Sequence, residues 1–460
     1  MTSGYHPFSV PPHVVTRCGN PHHREVSAMT VDVPSFATRA LHAGRSRQAA
    51  SSRATPIYLT AGFEFDDFDH AATHFGTGEG FGYTRTGNPT VQAVERQLAA
   101  LESGADAVLV ASGQAAVAVA LLTVAGAGDH IVASTHIYEG TRGLLVDNLA
   151  RLGIESTFVD EIGDPNAWRA AIRPNTRALF AESIANARND ILDITAVGAI
   201  GDEFAIPLIV DNTLATPYLL RPLEHGASIV VHSASKFLAG HGSVLGGVVV
   251  DNGRFDAEHA GHNAPHLVLP GRGGLASVAA RHGGNARIGY AREAVAPRFG
   301  TTPSPLNAFL IGQGAETLGL RVERQSRNAL EIARWLEAQD AVESVDYVGL
   351  DSHPDHELAQ RYLRGGYGSI FTFTLRGGLE AARDVIESVD VFTHMTHIGD
   401  VRSLVLHPAT TSHAYRTEEE RAVLGIRPGT LRVSIGIEDV ADLIGDLSRV
   451  LAAIEEPVIA

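Results

Sequence analysis

Lysine is almost missing from this sequence. Of its 36 basic residues, 35 are arginine and one, Lys236, is lysine. Cysteine is as scarce. Cys18 stands alone, which excludes an internal disulfide and any zinc site built on several cysteines. Basic charge is also short. Against 52 acidic residues the formal charge is −16, which argues against sequence-independent nucleic-acid binding. Long hydrophobic runs are absent too. The longest apolar stretch, Ala115 to Gly128, is broken by Thr123 and falls short of the ~18 residues of a membrane span. A hydrophobic content of 44% and a charged content of 19% exclude a disordered chain. A chain of 460 residues has room for about two or three domains.

The first 30 residues carry Arg17, Arg24 and several Pro and Gly breakers, with no continuous apolar region. No secretory leader is expected, and a cytoplasmic protein is. Residues 1–28 are irregular and histidine-rich (His6, His13, His22, His23). They read as a tail, or as sequence upstream of a start at Met29. Irregular spacing argues against a metal site there.

From about Ala105 to Val250, short apolar runs alternate with helical patterns. Strands are expected at Ala107–Ala111, His130–Ser134, Ser156–Val159, Ala178–Ala181, Pro207–Val210, Ile229–His232 and Val244–Val250. Helices are expected at Gln114–Val124, Gly140–Leu152 and Leu192–Phe204. Apolar strands alternating with helices predict a buried, mostly parallel sheet covered on both faces, an α/β architecture. A long amphipathic helix is expected from Ala308 to about Ala338. Strand-like runs (Ser369–Leu375, Ser403–Leu406, Thr430–Ser434) and helices (Leu379–Val389, Val440–Ile454) then predict a smaller α+β domain. The expected division is a tail over 1–34, an extended arm over 35–80, a large domain over 81–295 and a C-terminal α+β domain over 296–460.

The surviving lysine has a chemical reading. Arginine matches lysine in charge and in phosphate contacts, but it does not lose its proton to become an amine nucleophile. Lys236 follows the strand Ile229–His232, where catalytic groups of α/β sheets project. Asp211 ends the strand before it. A strand-end aspartate alone reads as a turn cap. An aspartate for a pyridinium nitrogen together with a Schiff-base lysine is the arrangement that holds pyridoxal phosphate (PLP). Ser112, Gly113 and Gln114 lie between a strand and a helix, where N–H groups and a glycine make an anion site. Ser233 and Ser235 flank the lysine and add hydroxyls.

These residues sit in a longer set of motifs: ATPIY (54–58), YTRTGNPT (83–90), ASGQAA (111–116), DNTLATPY (211–218) and VHSASKFLAGHG (231–242). Further on come PSPLNAFLIGQGAETLGLRVER (303–324), SLVLHPATTSHA (403–414) and LRVSIGIED (431–439). Together they resemble the PLP-dependent transsulfuration enzymes, the Cys/Met metabolism family of fold type I, and within it the O-acetylhomoserine sulfhydrylases. The resemblance covers about residues 35–460. It implies that Lys236 holds PLP, Asp211 pairs with the pyridine nitrogen and Tyr138 stacks on the ring. Gly113, Gln114, Ser233 and Ser235 would hold the phosphate, with Ser112 at the same turn. Tyr83 and Arg85 would reach the cofactor of a neighbouring subunit. Asn186 and Thr213 would line the ring. Arg432 would clamp the substrate α-carboxylate, with Ser403 beside it and Tyr58 facing the substrate. The implied partners are small molecules (O-acetylhomoserine and sulfide or a thiol), and the implied assembly is a homotetramer built from dimers. No membrane or nucleic-acid partner is expected.

The chain departs from the family at several points. Ala187 stands where proline is usual, Ser235 and Ser412 where threonine is, and His397 where sulfhydrylases often have asparagine. Residues 251–302 match poorly. Related activities share the same cofactor residues: a γ-synthase using cysteine and a β- or γ-eliminating lyase. A nicotinamide-dependent dehydrogenase is a rival of another class, because Gly271, Gly273 and Ala276 fit G-x-G-x-x-A after His266–Leu269. Metal sites on His394/His397 or His353/His356 are less expected, because histidine pairs at this spacing are usually surface residues.

Overall fold

The structure is a computed structural model. It describes residues 34–44, 52–186 and 188–455. The tail histidines, Cys18 and Ala187 lie outside the described residues. Pro34 and Ser35, at the end of the unit Met1–Ser35, are exposed and irregular.

Seven strands build the main sheet: β1 (Asp106–Val110), β2 (His130–Ser134), β3 (Glu155–Val159), β4 (Thr176–Glu182), β5 (Leu208–Asp211), β6 (Ile229–Ser233) and β7 (Gly247–Asp251). Their order is β1-β7-β6-β5-β4-β2-β3. β2 to β6 run parallel, and β7 lies antiparallel between β1 and β6. The central strands are largely apolar because both faces are covered, whereas the edge strand β3 is partly polar and buries only Val159. Leu179, Leu208, Val210 and Val230 point into one core, packed by Val94, Leu98 and Val197. Phe180, Ile209, Ile229 and Val231 point into the other, packed by the helix Gly113–Val124. Parallel pairing puts the carboxyl ends of β4, β5 and β6 along one edge.

A second sheet has strands β8 (Val342–Asp346), β9 (Ile370–Leu375), β10 (Thr393–His394), β11 (Leu404–Leu406) and β12 (Thr430–Ser434), in the order β10-β11-β12-β9-β8. Phe371, Phe373, Leu431 and Val433 pack there against Ile332, Leu336, Leu443 and Leu447. No described helix is long and apolar enough to cross a membrane.

Three expectations change. The segment 35–80 contains two helices, Phe36–His42 and Phe68–Thr77. The second is capped by Asp67 and by left-handed Gly78; its Phe68, Ala71, Ala72 and Phe75 have helical spacing, yet none of them is buried. The long helix from Ala308 is two, Pro305–Glu316 and Leu318–Glu337. Arg321 Nη2 donates to the Gly314 carbonyl (2.7 Å), an acceptor a continuous helix would give to its own N–H groups. The helix expected over Gly140–Leu152 is α-helical over Glu139–Gly143 and widens into a π-turn at Leu144–Leu149. The glycine run at 271–276 is no strand–helix turn. It follows the helix Pro265–Val268 and makes a short 3₁₀ turn, Arg272–Gly274, so it lacks the βαβ setting of a dinucleotide site.

Candidate active site

A cleft of about 880 Å³ opens at the carboxyl ends of β4, β5 and β6. It brings together Ser112, Gly113, Gln114, Tyr138, Asn186, Asp211, Thr213, Ser233, Ser235, Lys236 and Arg432, which stand far apart in sequence. The convergence follows from topology, since parallel strands deliver their last residues to one edge.

One end of the cleft is built for an anion. The helix Gly113–Val124 starts there, capped by Ser112, whose Oγ accepts from Ala115 N–H (3.1 Å). Its first N–H groups and dipole favour negative charge. Gly113 lets the turn approach β6: a Cβ here would lie 2.6 Å from Ser233 Cβ. Gln114 Nε2 donates to the Gly140 carbonyl (2.9 Å). The Ser233 N–H donates to Thr213 Oγ1 (2.8 Å). The Ser235 hydroxyl is taken up by the backbone of Gly246, to which it donates at 3.2 Å and from which it accepts at 3.0 Å.

Asp211 ends β5. Its Oδ1 accepts from the backbone N–H (2.9 Å) and the hydroxyl (2.5 Å) of Thr213, and no described group donates to Oδ2. In the β4–β5 register its partner is Glu182, 7% exposed. Glu182 accepts from Tyr138 N–H (2.6 Å) and Asn186 N–H (3.1 Å). Burial first, then the neighbouring Asp211, push the Glu182 carboxyl up to about 8. Burial also raises Asp211. Two adjacent carboxyls with no cation between them suit a positively charged N–H ligand.

Lys236 lies in the turn after β6. Its Nζ is 3.0 Å from His397 Nδ1. Burial, then the Arg432 charge, lowers its amine to about 8. Burial, then Lys236, lowers His397 to about 4. Arg321 braces this turn by donating to the carbonyls of Phe237 (2.8 Å) and Leu238 (3.4 Å). Arg432, on β12, is 5% exposed. It donates to Asn186 Oδ1 (3.4 Å) and the Thr396 carbonyl (3.1 Å), and no described carboxylate pairs with it. Burial lowers it to about 10. A buried guanidinium with only neutral partners is costly unless a ligand carboxylate completes it. The Tyr138 side chain is 52% exposed at the cleft, with Gly140 beneath its ring, where a Cβ would lie 2.4 Å from Cε1.

Four expected residues do not line this cleft. Tyr83 is 51% exposed, and Arg85 donates to the Pro297 carbonyl (3.1 Å). Tyr58 lies with its ring near Phe63. Ser403 is buried; its hydroxyl donates to Glu438 Oε2 (2.9 Å) and accepts from Gly436 N–H (2.9 Å). Two further cleft residues, Glu182 and His397, have no catalytic or cofactor role legible in the sequence. The run ESIANA placed Glu182 at a strand end, which was its only signal. His353 meets Asp346, and His394 is exposed on β10.

The cleft fits PLP on its own geometry. The helix start suits the phosphate, Oδ2 of Asp211 is open for a pyridinium, Lys236 is a half-buried amine of lowered basicity, and Arg432 awaits a carboxylate. Comparison with known proteins agrees. The family model for Cys/Met metabolism PLP-dependent enzymes matches residues 37–452. The O-acetyl-L-homoserine sulfhydrylase of Corynebacterium glutamicum is 43% identical over 429 residues, 91% of this chain and 97% of that protein. The homocysteine synthase of Schizosaccharomyces pombe is 40% identical, over 92% of this chain and 99% of its own. The crystal structure of an O-acetylhomoserine (thiol)-lyase from Campylobacter jejuni, which contains a pyridoxyl-lysine monophosphate residue, matches with a TM-score of 0.87 at 33% identity, covering 91% of this chain and 99% of that one. The architecture is therefore fold type I. A match of this extent, on a sheet edge shaped for this cofactor, makes the chain a PLP-dependent enzyme of the Cys/Met metabolism family.

Proposed function

We propose that the enzyme catalyses γ-replacement on O-acetyl-L-homoserine: sulfide takes the place of acetate at the γ-carbon and gives L-homocysteine. PLP, when bound, supplies the electron sink that lets protons leave the carbons next to the amino group. Lys236 Nζ holds the cofactor and, once free, moves the α-proton. Asp211, whose Oδ2 is free of donors among the described residues, would pair with the pyridine nitrogen and keep its proton in place. Gly113, Gln114 and Ser233 hold the phosphate, with Ser112 shaping the helix start. Tyr138 stacks on the ring, and Thr213 and Asn186 flank it. In this reading residues 81–295 carry the cofactor and 296–460 supply Arg432 for the substrate α-carboxylate.

One observation supports a substrate with an uncharged acyl tail. Among the described residues, Arg432 is the only arginine lining the cleft. Arg416, near its wall, is paired with Glu139 at 2.7 Å. A single carboxylate therefore finds a partner, and the second carboxylate of a succinyl ester does not. Purified enzyme is assayed with sulfide and O-acetylhomoserine, O-succinylhomoserine or O-acetylserine. Homocysteine from the first is expected. Cystathionine with cysteine, or a keto acid with ammonia, in place of homocysteine would show a γ-synthase or a lyase.

The exposed Tyr83 and Arg85 support a shared site, in which they reach the phosphate bound by a second copy. The active unit is then a dimer at least, and a tetramer by pairing of dimers.

A further inference from the structure

His397 is an odd residue to find against Lys236. It comes from the loop between β10 and β11, 161 positions along the chain, and its Nδ1 stands 3.0 Å from Lys236 Nζ. When the amine is protonated it can only donate, so Nδ1 is then the bare, accepting nitrogen and the neutral ring carries its proton on Nε2. That Nε2 is buried and has no hydrogen-bond partner among the described residues. An imidazole kept for fold stability would be expected to use both nitrogens. This one uses only the nitrogen aimed at the lysine.

We propose that His397 is a positioning residue for Lys236: its bare Nδ1 accepts a hydrogen bond from the ε-amine whenever that amine is not bonded to the cofactor, and so returns the amine to one place in the cleft. The inference rests on the reading of Lys236 as the cofactor-bearing lysine. The surrounding charges agree with an accepting imidazole. Lys236 faces Arg432 from β12, with Asp211 and Glu182 lining the same cleft. His397 faces Lys236, Arg432 and Arg402, with Asp400 on its own loop as the one carboxylate. Three cations against one anion keep the ring neutral, as does its burial. A neutral ring can accept from an ammonium or from an amine, and holds the ammonium more strongly because that hydrogen bond is charge-assisted.

The single lysine makes a direct test available. Full-length holoenzyme carrying [13Cε]lysine gives one lysine signal, that of Lys236. In the resting holoenzyme this signal should have the shift of a carbon next to an imine. A free-amine shift in PLP-loaded protein would overturn the reading of Lys236 itself. Saturation with a 2-methyl amino acid, which bonds to the cofactor but has no α-proton to lose, should release the lysine as an amine that can be titrated. Its midpoint should fall by about one unit in His397→Leu, the effect of losing one hydrogen bond to a charged group. It should recover in His397→Asn, whose amide oxygen also accepts. An unchanged midpoint in His397→Leu, or an equal fall in His397→Asn, would overturn the proposal while leaving the lysine reading intact. A second measurement does not depend on the leucine variant folding. The 15N shifts of His397 in the wild-type complex, assigned by their loss in His397→Asn, should show Nδ1 bare and Nε2 protonated; the opposite tautomer would also overturn it.

Discussion

Glu182 and Asp211 are register partners at the carboxyl ends of adjacent parallel strands, and their carboxyl groups share one corner of the cleft. Glu182 holds its proton to about 8, against an ordinary 4.5. A carboxyl with a raised folded-state pKa stabilises the fold fully below its unfolded pKa, and this contribution is lost as pH rises through the folded one. The cofactor-free enzyme should therefore lose thermal stability between about pH 4.5 and about pH 8. Glu182→Gln mimics the protonated form and should flatten that loss. Thermal unfolding across this range decides it, and an equal slope in both proteins counts against the assignment.

Asp211→Asn removes the charge that faces the pyridine nitrogen but keeps the side-chain shape. The protein should still fold and take up PLP. Turnover should fall by roughly 100-fold or more, the scale of losing one preorganised electrostatic contact. Steady-state kinetics with the holoenzyme spectrum as control checks this, and near-normal kcat would remove Asp211 from its role.

Lys236→Arg keeps the positive charge and loses the nucleophilic amine. The variant should show no imine absorbance and no turnover. In the wild type, an amine-directed reagent should label Lys236 and the N-terminal amine alone, because there is no other lysine. Bound PLP should block the first of these. Peptide mass mapping with and without PLP reads the outcome.

Arg432→Met should separate binding from stability. The guanidinium is buried beside neutral acceptors only. Its removal should leave the melting temperature unchanged or higher, since no ion pair is broken. KM for the amino acid should rise by about 100-fold, the loss of charge-assisted contacts to one carboxylate. A large drop in melting temperature with unchanged KM would show that Arg432 supports the fold instead.

Tyr83 and Arg85 give a test by mixing. Lys236→Ala and Arg85→Ala proteins should each be weak alone. Dissociated and reassembled together, they should regain activity if each site draws on two chains. Mixing without recovery would place Arg85 in its own chain's chemistry, or in none.

Much of the fold was readable before any coordinates. The strand runs are apolar because both sheet faces are buried, and that leaves a continuous signal in the sequence. The helix Phe68–Thr77 is harder to read: Phe68, Ala71, Ala72 and Phe75 have helical spacing, but the stripe is short and buries nothing. The break at Thr317 was hidden because its cause is Arg321 reaching Gly314 and the Lys236 turn at once.

The sequence alone determined which residues can do the chemistry. Lys236 is the only amine side chain, and the motifs place Asp211 at a strand end, Gly113 at a strand–helix turn and Arg432 within a strand. Only the tertiary structure decided how those groups act on one another. It put Glu182 beside Asp211, left Arg432 without an acid, gave the Ser403 hydroxyl to Glu438, and brought His397 across 161 positions to Lys236. Local pattern records what a residue is and which face it buries. Charge state, free valence and partner depend on contacts between distant segments, and those exist only once the sheet edge has gathered them.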